Sequence, residues 1–219
     1  TGAAPASAAI VAGVYALIGG RVYCAWVCPL NMVTDAAHWL REKLGLTKGW
    51  PPKRELRLWI LGMTLAVSAV GGTIAWELVN PVTMIYRGLV FSLGAVTVVI
   101  VALFLFDVFV SRRGWCGNLC PVGALYALVG VKAVLRVSAR NRHDCDDCMD
   151  CYAVCPEPQV ITPALKGLAK DASPLILDRD CSNCGRCMDV CAKDVFCFTS
   201  RFHEPPLPYP VTNAPRKAA

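Results

Sequence analysis

The sequence has few charged side chains and very few histidines. Asp, Glu, Lys and Arg make up 17% of its 219 residues, and it contains three histidines. A typical soluble domain carries about 25% charged residues, so this composition argues against an ordinary soluble enzyme and against a disordered chain. The scattered positions of His38, His143 and His203, and the absence of a Cys-x-x-Cys-His motif, argue against b-type and c-type haem. We therefore predict no haem cofactor.

Common catalytic motifs are also missing. The sequence contains no P-loop, no Gly-x-Gly-x-x-Gly, no Gly-x-Ser-x-Gly and no His-Glu-x-x-His. What it does have is 13 cysteines and 55% hydrophobic residues. Its apolar stretches are too long for a small secreted domain held together by disulfides. The composition therefore predicts a membrane protein that carries a cysteine-rich metal module.

Three apolar segments are long enough to suggest transmembrane helices. Residues 1–20 carry no charge, and residues 58–79 and 88–110 each contain a single acidic residue. About 20 mostly apolar residues are needed to cross the hydrocarbon core of a bilayer. The sequence thus predicts a mainly α-helical membrane protein with three transmembrane helices at about these positions.

The placement of basic residues predicts how this protein would be oriented. Lys and Arg are frequent in residues 21–57 and 111–142, whereas residues 80–87 contain only Arg87. Basic loops stay on the cytoplasmic side, so residues 80–87 are expected outside, and residues 21–57 and 111–219 in the cytoplasm. We therefore predict a multi-pass protein of the bacterial inner membrane. Its basic residues are expected to face lipid headgroups rather than nucleic acid.

A cysteine motif occurs twice, each time after a predicted transmembrane helix. Cys24-x3-Cys28-Pro precedes a predicted interfacial helix at 31–44, and Cys116-x3-Cys120-Pro precedes another at 122–137. Residues i and i+4 share a helix face, so each pair can present two sulfurs together. These cysteines could form a four-thiolate metal site or a redox dithiol, shape a quinol pocket, or simply be buried thiols. An extra helix before the second copy predicts a parent protein with four helices, the first of which is missing here.

Eight further cysteines follow the spacing of bacterial ferredoxins. The pattern Cys-x2-Cys-x2-Cys-x3-Cys occurs over residues 145–155 and again over 181–191. In such runs three cysteines hold one [4Fe–4S] cluster and the fourth ligates the other cluster. We therefore predict a small α+β two-cluster ferredoxin domain over residues 143–200. One cluster is assigned to Cys145, Cys148, Cys151 and Cys191, and the second to Cys155, Cys181, Cys184 and Cys187.

Zinc fits this region less well, because structural zinc sites usually pair two short cysteine knuckles rather than two runs of four. Cys197 has no counterpart in the repeat and is expected to be a core thiol. The segment between Cys155 and Cys181 is longer than a minimal ferredoxin needs and is expected to be a surface excursion. Residues 201–219 are predicted to form a disordered, Pro-rich tail.

The order of these motifs resembles that of a known family. The matching segments are CAWVCPL, WELVNPV, ALFLFD, WCGNLCPVGALY, CMDCYAVCPEP and CGRCMDVC, within residues 8–200. Together they resemble NapH, the membrane-bound ferredoxin-type quinol dehydrogenase subunits of periplasmic nitrate reductase systems. The resemblance implies four membrane helices, two cytoplasmic Cys-x3-Cys-Pro motifs and two [4Fe–4S] clusters. It also implies a NapG-like periplasmic iron–sulfur partner, a membrane-anchored multihaem cytochrome c and a periplasmic nitrate reductase.

Oxidation of quinol releases two protons with two electrons, so a quinol site needs a proton acceptor. Ionisable residues within predicted membrane segments are candidates, and here these are Glu77 and Asp107. Each of them could instead be a helix-end residue that reaches the interface. A second hypothesis is an assembly or maturation factor for a metalloenzyme, of the oxidase-assembly or nitrous oxide reductase regulator type.

Overall fold

The computed structural model describes residues 10, 13–46, 49, 52–71, 80, 82–86, 93–167 and 173–202. The chain divides into two compact units. The central unit is Tyr23–Leu128, and the terminal unit combines Thr1–Val22 with Val129–Ala219.

Helices make up the described part of the central unit. They are α1 (Val22–Trp26), α2 (Leu30–Lys43), α3 (Leu56–Gly71), α4 (Leu93–Phe109), a π-helical turn at Trp115–Leu119, and α5 (Pro121–Val129). Helix α2 packs against α4, with Leu30, Ala37 and Val108 buried. Both Cys-x3-Cys-Pro motifs lead directly into a helix, because proline lacks an N–H and is tolerated in the first turn.

The predicted transmembrane helices are contradicted by the structure. Helix α3 has 16 residues and α4 has 17, which correspond to about 24 and 26 Å against a hydrocarbon core of about 30 Å. Within the described ranges, no helix has both the length and the apolar character that crossing a membrane requires. The predictions of a multi-pass membrane fold and of an inner-membrane location are therefore wrong. Residues 1–9, 11–12, 72–79 and 88–92 of the predicted spans lie outside the described residues.

Several of the basic residues that had suggested an orientation lie inside the protein. Arg41 and Arg57 are 4% and 2% exposed. The guanidinium of Arg41 donates to the carbonyl oxygen of Val108 at 2.7 Å, and that of Arg57 donates to the carbonyl oxygen of Gly117 at 3.1 Å. These arginines therefore stabilise turns of the central unit instead of facing lipid headgroups.

The terminal unit combines a small sheet with short helices. Its described elements are β1 (Leu135–Ser138), α6 (Asp150–Val154), α7 (Ile161–Lys166), α8 (Arg186–Asp189) and β2 (Cys197–Ser200), with 3-10 turns at Gly130–Lys132, Arg142–Asp144 and Pro158–Val160. Strands β1 and β2 are antiparallel, with Leu135 opposite Ser200 and Ser138 opposite Cys197. The core of the unit includes Val137, Ile176 and Phe196, together with two of the predicted ligands, Cys151 and Cys187.

The segment between the two cysteine runs is not the surface excursion that its length predicts. Val160, Ile161, Ala164 and Leu165 are buried in the same core as Cys151. Their spacing places them on one face of the 3-10 turn and α7, so the segment covers the cysteine loops with apolar side chains. Residues 168–172 lie outside the described residues.

The first part of the chain belongs to this unit as well. The amide of Val134 donates to the carbonyl oxygen of Leu17 at 2.8 Å. Gly130 lies against the backbone of Gly20, where an added Cβ would collide with main-chain atoms. These contacts place residues 17–21 beside the entry to β1.

Candidate metal centres

The two cysteine runs share one backbone conformation. The residues two and four positions after the first cysteine of each run are left-handed, namely Asp147, Met149, Asn183 and Gly185. Left-handed backbone costs most L-residues about 1–2 kcal/mol, while Gly, Asn and Asp tolerate it better. Each loop then enters a short helix, α6 or α8, whose second residue is the third cysteine of the run. The chain therefore coils in the same way around both groups of cysteines.

A cavity of about 140 Å³ is bordered by one predicted ligand set, which we name the first cysteine site: Cys145, Cys148, Cys151 and Cys191. Cys151 is buried and Cys148 is exposed. Burial, followed by the nearby sulfurs of Cys145, Cys148 and Cys191, raises the pKa of the Cys151 thiol to about 11. The structure thus brings the fourth cysteine of the second run beside three cysteines of the first run.

A smaller cavity of about 20 Å³ is bordered by the other set, the second cysteine site: Cys155, Cys181, Cys184 and Cys187. Burial, together with nearby Cys184 and Cys181, raises the pKa of Cys155 to about 12. Burial also raises the pKa of Cys187, to which the sulfurs of the other three members contribute. The fourth cysteine of the first run therefore lies beside three cysteines of the second run.

The donor set of each site fits an iron–sulfur cluster. Thiolates are soft ligands that suit iron–sulfur clusters and zinc, and a [4Fe–4S] cluster takes four of them. Over the described ranges, no three His, Cys, Asp or Glu residues are arranged to hold a single metal ion. Because a raised thiol pKa opposes ionisation of the empty site, loading with metal would release protons.

The four repeat cysteines also come together, within the central unit. Cys116 belongs to the π-helical turn, a feature often found at functional sites. Burial, and then the charges of Cys120, Asp107, Cys28 and Cys24, raise the pKa of Cys116 well above its usual value. Burial also raises the pKa of Cys120 to about 11. The cysteines of the two motifs, which we call the four-thiol group, are therefore near enough to affect one another electrostatically.

Asp107 lies beside this four-thiol group and is 1% exposed. Its Oδ1 accepts the N–H of Trp115 at 3.0 Å, and its Oδ2 has no hydrogen-bond partner among the described residues. Burial raises the pKa of this carboxyl to about 6, although the amides of Trp115 and Gly114 and the charges of Arg113 and Arg41 act in the opposite direction. Glu77, the other predicted proton acceptor, lies outside the described residues.

The sequence analysis did not identify two arginines that precede the repeat motifs as buried residues that pair with carboxylates. Arg21 and Arg113 each stand three residues before the first cysteine of a motif, and both are buried. Arg21 approaches Glu157 at 3.6 Å, and Arg113 pairs with Asp35. Their matching positions in the two copies were the signal in the sequence. Arg136, in strand β1, had no comparable signal.

Two family models match the chain. One, described as a 4Fe-4S binding domain, matches residues 1–47 and 88–140, and Cys24, Cys28, Cys116 and Cys120 are the cysteines in those residues. The other, described as a 4Fe-4S dicluster domain, matches residues 144–195 and so covers all eight cysteines of the two sites. Both matches support binding of iron–sulfur clusters.

Curated relatives match most of the chain. It is 50% identical to the ferredoxin-type protein NapH of Haemophilus influenzae over 89% of this chain and 68% of the relative. Identity to NapH of Escherichia coli is 47%, over 89% of this chain and 67% of the relative. Identity to the methylamine utilization ferredoxin-type protein MauN of Paracoccus denitrificans is 56%, over 91% and 70%. The predicted resemblance to NapH is thus confirmed. No solved structure matches the chain.

Proposed function

Starting from the fact that the chain belongs to the family of ferredoxin-type iron–sulfur proteins that includes NapH and MauN, we propose that it is an electron-transfer subunit of a quinol dehydrogenase. It holds one [4Fe–4S] cluster at each of the two cysteine sites and passes electrons from quinol toward a periplasmic nitrate reductase. Such clusters supply one-electron redox chemistry. The chain itself supplies the thiolates, the enclosure and the surrounding charges.

The observation that best supports this proposal is that each run of cysteines contributes three residues to one site and its last cysteine to the other site. Each cavity is bordered by three cysteines of one run and the last cysteine of the other. This arrangement is the one that two-cluster ferredoxins use. Two four-thiol sites within one small unit suit the transfer of single electrons.

We propose Asp107 as the residue that accepts a proton when quinol is oxidised. With a pKa of about 6, its carboxylate is mostly ionised at pH 7 and can take up a proton that quinol loses. The unpartnered Oδ2 leaves one oxygen available for that proton. Glu77 stays the second candidate from the sequence.

The four repeat cysteines form a third thiol site in this proposal, with a redox or a structural role. Their family model describes cluster binding. Burial, and after it the neighbouring thiols, raises the pKa of Cys116 and of Cys120. Iron analysis separates the two roles, because a third cluster would bring the total from about eight irons per chain to about twelve.

The proposed partners are those that the resemblance to NapH implies: a NapG-like iron–sulfur subunit, a multihaem cytochrome c and the nitrate reductase. The matches to MauN favour a second candidate. MauN of Paracoccus denitrificans is 56% identical to the chain, against 50% for NapH of Haemophilus influenzae, and its name concerns methylamine utilization. The second candidate is therefore an electron donor for the assembly or maturation of a metalloenzyme.

A quinol titration of the anaerobically purified full chain, with its iron–sulfur partner present, tests the proposal. We expect about eight or more irons per chain and electron paramagnetic resonance signals that grow as a quinol analogue is added. Iron and sulfide near zero would overturn the assignment of the cysteine sites. Loaded clusters that ignore quinol but are reduced by dithionite would reject the dehydrogenase and favour the maturation role.

The role of Asp107 is tested in the same assay by Asp107→Asn. The wild-type rate of quinol-dependent cluster reduction should rise as the pH increases through about 6, because the ionised carboxylate is the acceptor. The variant should lose at least tenfold in rate together with this pH dependence. Dithionite reduction of the clusters serves as the control and should be unchanged. A native pH profile in the variant would exclude Asp107 as the acceptor.

A further inference from the structure

The two cysteine sites differ in the charges that surround them. We propose that the buried guanidinium groups of Arg136 and Arg21 raise the reduction potential of the second cysteine site, and so keep it reducible despite its enclosure. The inference rests on the proposed function, because it requires a cluster at that site. Both arginines act as positioning residues through their charge and do not ligate the metal.

Arg136 is expected to contribute most to this effect. It is 2% exposed in strand β1, and its guanidinium donates to the main-chain carbonyl oxygens of Gly130 at 2.7 Å, Val131 at 3.0 Å and Asp178 at 3.2 Å. Carbonyl oxygens hold the guanidinium in place but do not neutralise it as an ion-pair partner would. The contact with Asp178, three residues before Cys181, places the guanidinium close to the second cysteine site. The Asp178 carboxylate and the Arg201 guanidinium are further charges near Arg136.

Arg21 acts on the same cysteine from a distant part of the chain. It is 4% exposed, and its guanidinium donates at 2.8 Å to the carbonyl oxygen of Asp180, the residue before Cys181. It also approaches the Glu157 carboxylate at 3.6 Å, so part of its charge is compensated. Because Asp180 directly precedes Cys181, this hydrogen bond places the charge of Arg21 close to the second cysteine site.

The first cysteine site has a different environment. Asp146, Asp147 and Asp150 border its cavity and are exposed, as is Cys148. Lys193 also borders it, and Lys166 pairs with Asp147 at 3.3 Å. All these charged groups are open to solvent, so water and salt screen their effect on the site. Solvent, more than fixed protein charge, therefore stabilises an added electron there.

The sign of the effect follows from the charge of the reduced state. Reduction adds one negative charge to a site that already carries four thiolates. Enclosure without compensation disfavours the added charge and lowers the potential, because a low-dielectric interior solvates it poorly. A buried cation acts in the opposite direction, and its effect is screened far less than that of an exposed one. The second site is the more enclosed one. Two buried arginines lie near it, against one buried carboxylate, Glu157, that borders its cavity.

The test is a potentiometric titration of the full chain, followed by electron paramagnetic resonance. The signal that disappears in Cys184→Ala identifies the second site. We expect Arg136→Gln to lower its midpoint by at least a tenfold change in the ratio of oxidised to reduced cluster, which is 59 mV for one electron. The first-site midpoint should not move. Arg136→Lys, which keeps the charge, should restore at least half of the shift.

Arg201→Gln is the matched control. Arg201 donates to the same carbonyl oxygen of Val131, at 2.7 Å, in a hydrogen bond that is open to solvent. The variant therefore removes a similar hydrogen bond together with a charge that is only half-buried. Its effect on the second site should be well below that of Arg136→Gln. Equal shifts in these two variants, or a shift in Arg136→Lys as large as in Arg136→Gln, would show a structural effect and overturn the proposal.

A charge-pair cycle gives a second route if Arg136→Gln does not fold. Arg21→Gln should lower the second-site midpoint, Glu157→Gln should raise it, and the double variant should return it close to wild type. Unchanged midpoints in both single variants would overturn the proposal. Failure of the proposed function looks different, because the wild type itself would then lack iron or ignore quinol.

Discussion

The two cysteine sites share a backbone conformation but differ in the burial of the charges around them. Both loops use left-handed residues two and four positions after the first cysteine, and both place their third cysteine in the core. Yet the first site is bordered by exposed acids and the second lies near buried arginines. Cysteine spacing therefore determines how each loop coils, whereas residues elsewhere in the chain determine the electrostatic environment of its cysteine site.

Removal of the core cysteines should produce the largest effects, because each substitution should abolish cluster binding at one site and leave the other site intact. Cys151→Ala and Cys187→Ala should each lower the iron content by about four per chain, since each removes a ligand of one predicted cluster. Metal analysis with the resonance spectra of both variants measures this. Cys197→Ala is the control, because that residue lies outside both predicted sets. Full iron content in either core variant would contradict the ligand assignment.

Exposure to a chelator under mild oxidation should separate the two sites next. The first site includes the exposed Cys148, and its cavity is about 140 Å³ against about 20 Å³ for the second. We therefore expect the first-site signal to disappear before the second-site signal. Time-resolved loss of the two signals, assigned with the cysteine variants, measures the order. Simultaneous loss would mean that enclosure does not protect the second site.

A pair of backbone substitutions tests how alike the loops are. Gly185 has φ 80° and Met149 has φ 67° at the equivalent position. Gly185→Ala should destabilise the loaded protein by about 1–2 kcal/mol, whereas Met149→Gly should change stability by less than about 1 kcal/mol, because relief of strain offsets the added chain entropy. Unfolding monitored by cluster absorbance measures both. Equal losses would argue that the loops are not equivalent.

The smallest expected effect concerns the acids of the first site. Asp147→Asn should raise the first-site midpoint, since it removes a negative charge, but by less than the 59 mV that corresponds to a tenfold ratio. The charge is exposed and pairs with Lys166, so water screens it. The shift should shrink further at high salt. A shift as large as that of Arg136→Gln would remove the distinction between screened and buried charges.

Part of this arrangement could be predicted from the sequence. The spacing of the eight cysteines predicts two interleaved sets, and each set borders one cavity. The repeated Cys-x3-Cys-Pro motif predicts paired sulfurs, and the structure groups all four of its cysteines beside Asp107. Local spacing is informative here because each loop must bend sharply to bring its sulfurs together.

The wrong predictions arose because the surroundings of a segment were inferred from its amino-acid composition alone. The apolar runs predicted transmembrane helices, but helices α3 and α4 have 16 and 17 residues. Basic residues such as Arg41 and Arg57 suggested contact with lipid headgroups, yet they donate to carbonyl oxygens inside the protein. No local pattern reveals that Arg21 lies beside Asp180, because this contact depends on how distant segments pack.

The contact of Arg21 with Asp180 joins residues that are 159 positions apart. A ribosome adding about 5–20 residues per second needs roughly 8–32 s to make that length of chain. Throughout this interval Arg21 has been synthesised while Asp180 has not. The charge environment of the second site can therefore form only after synthesis has passed Asp180.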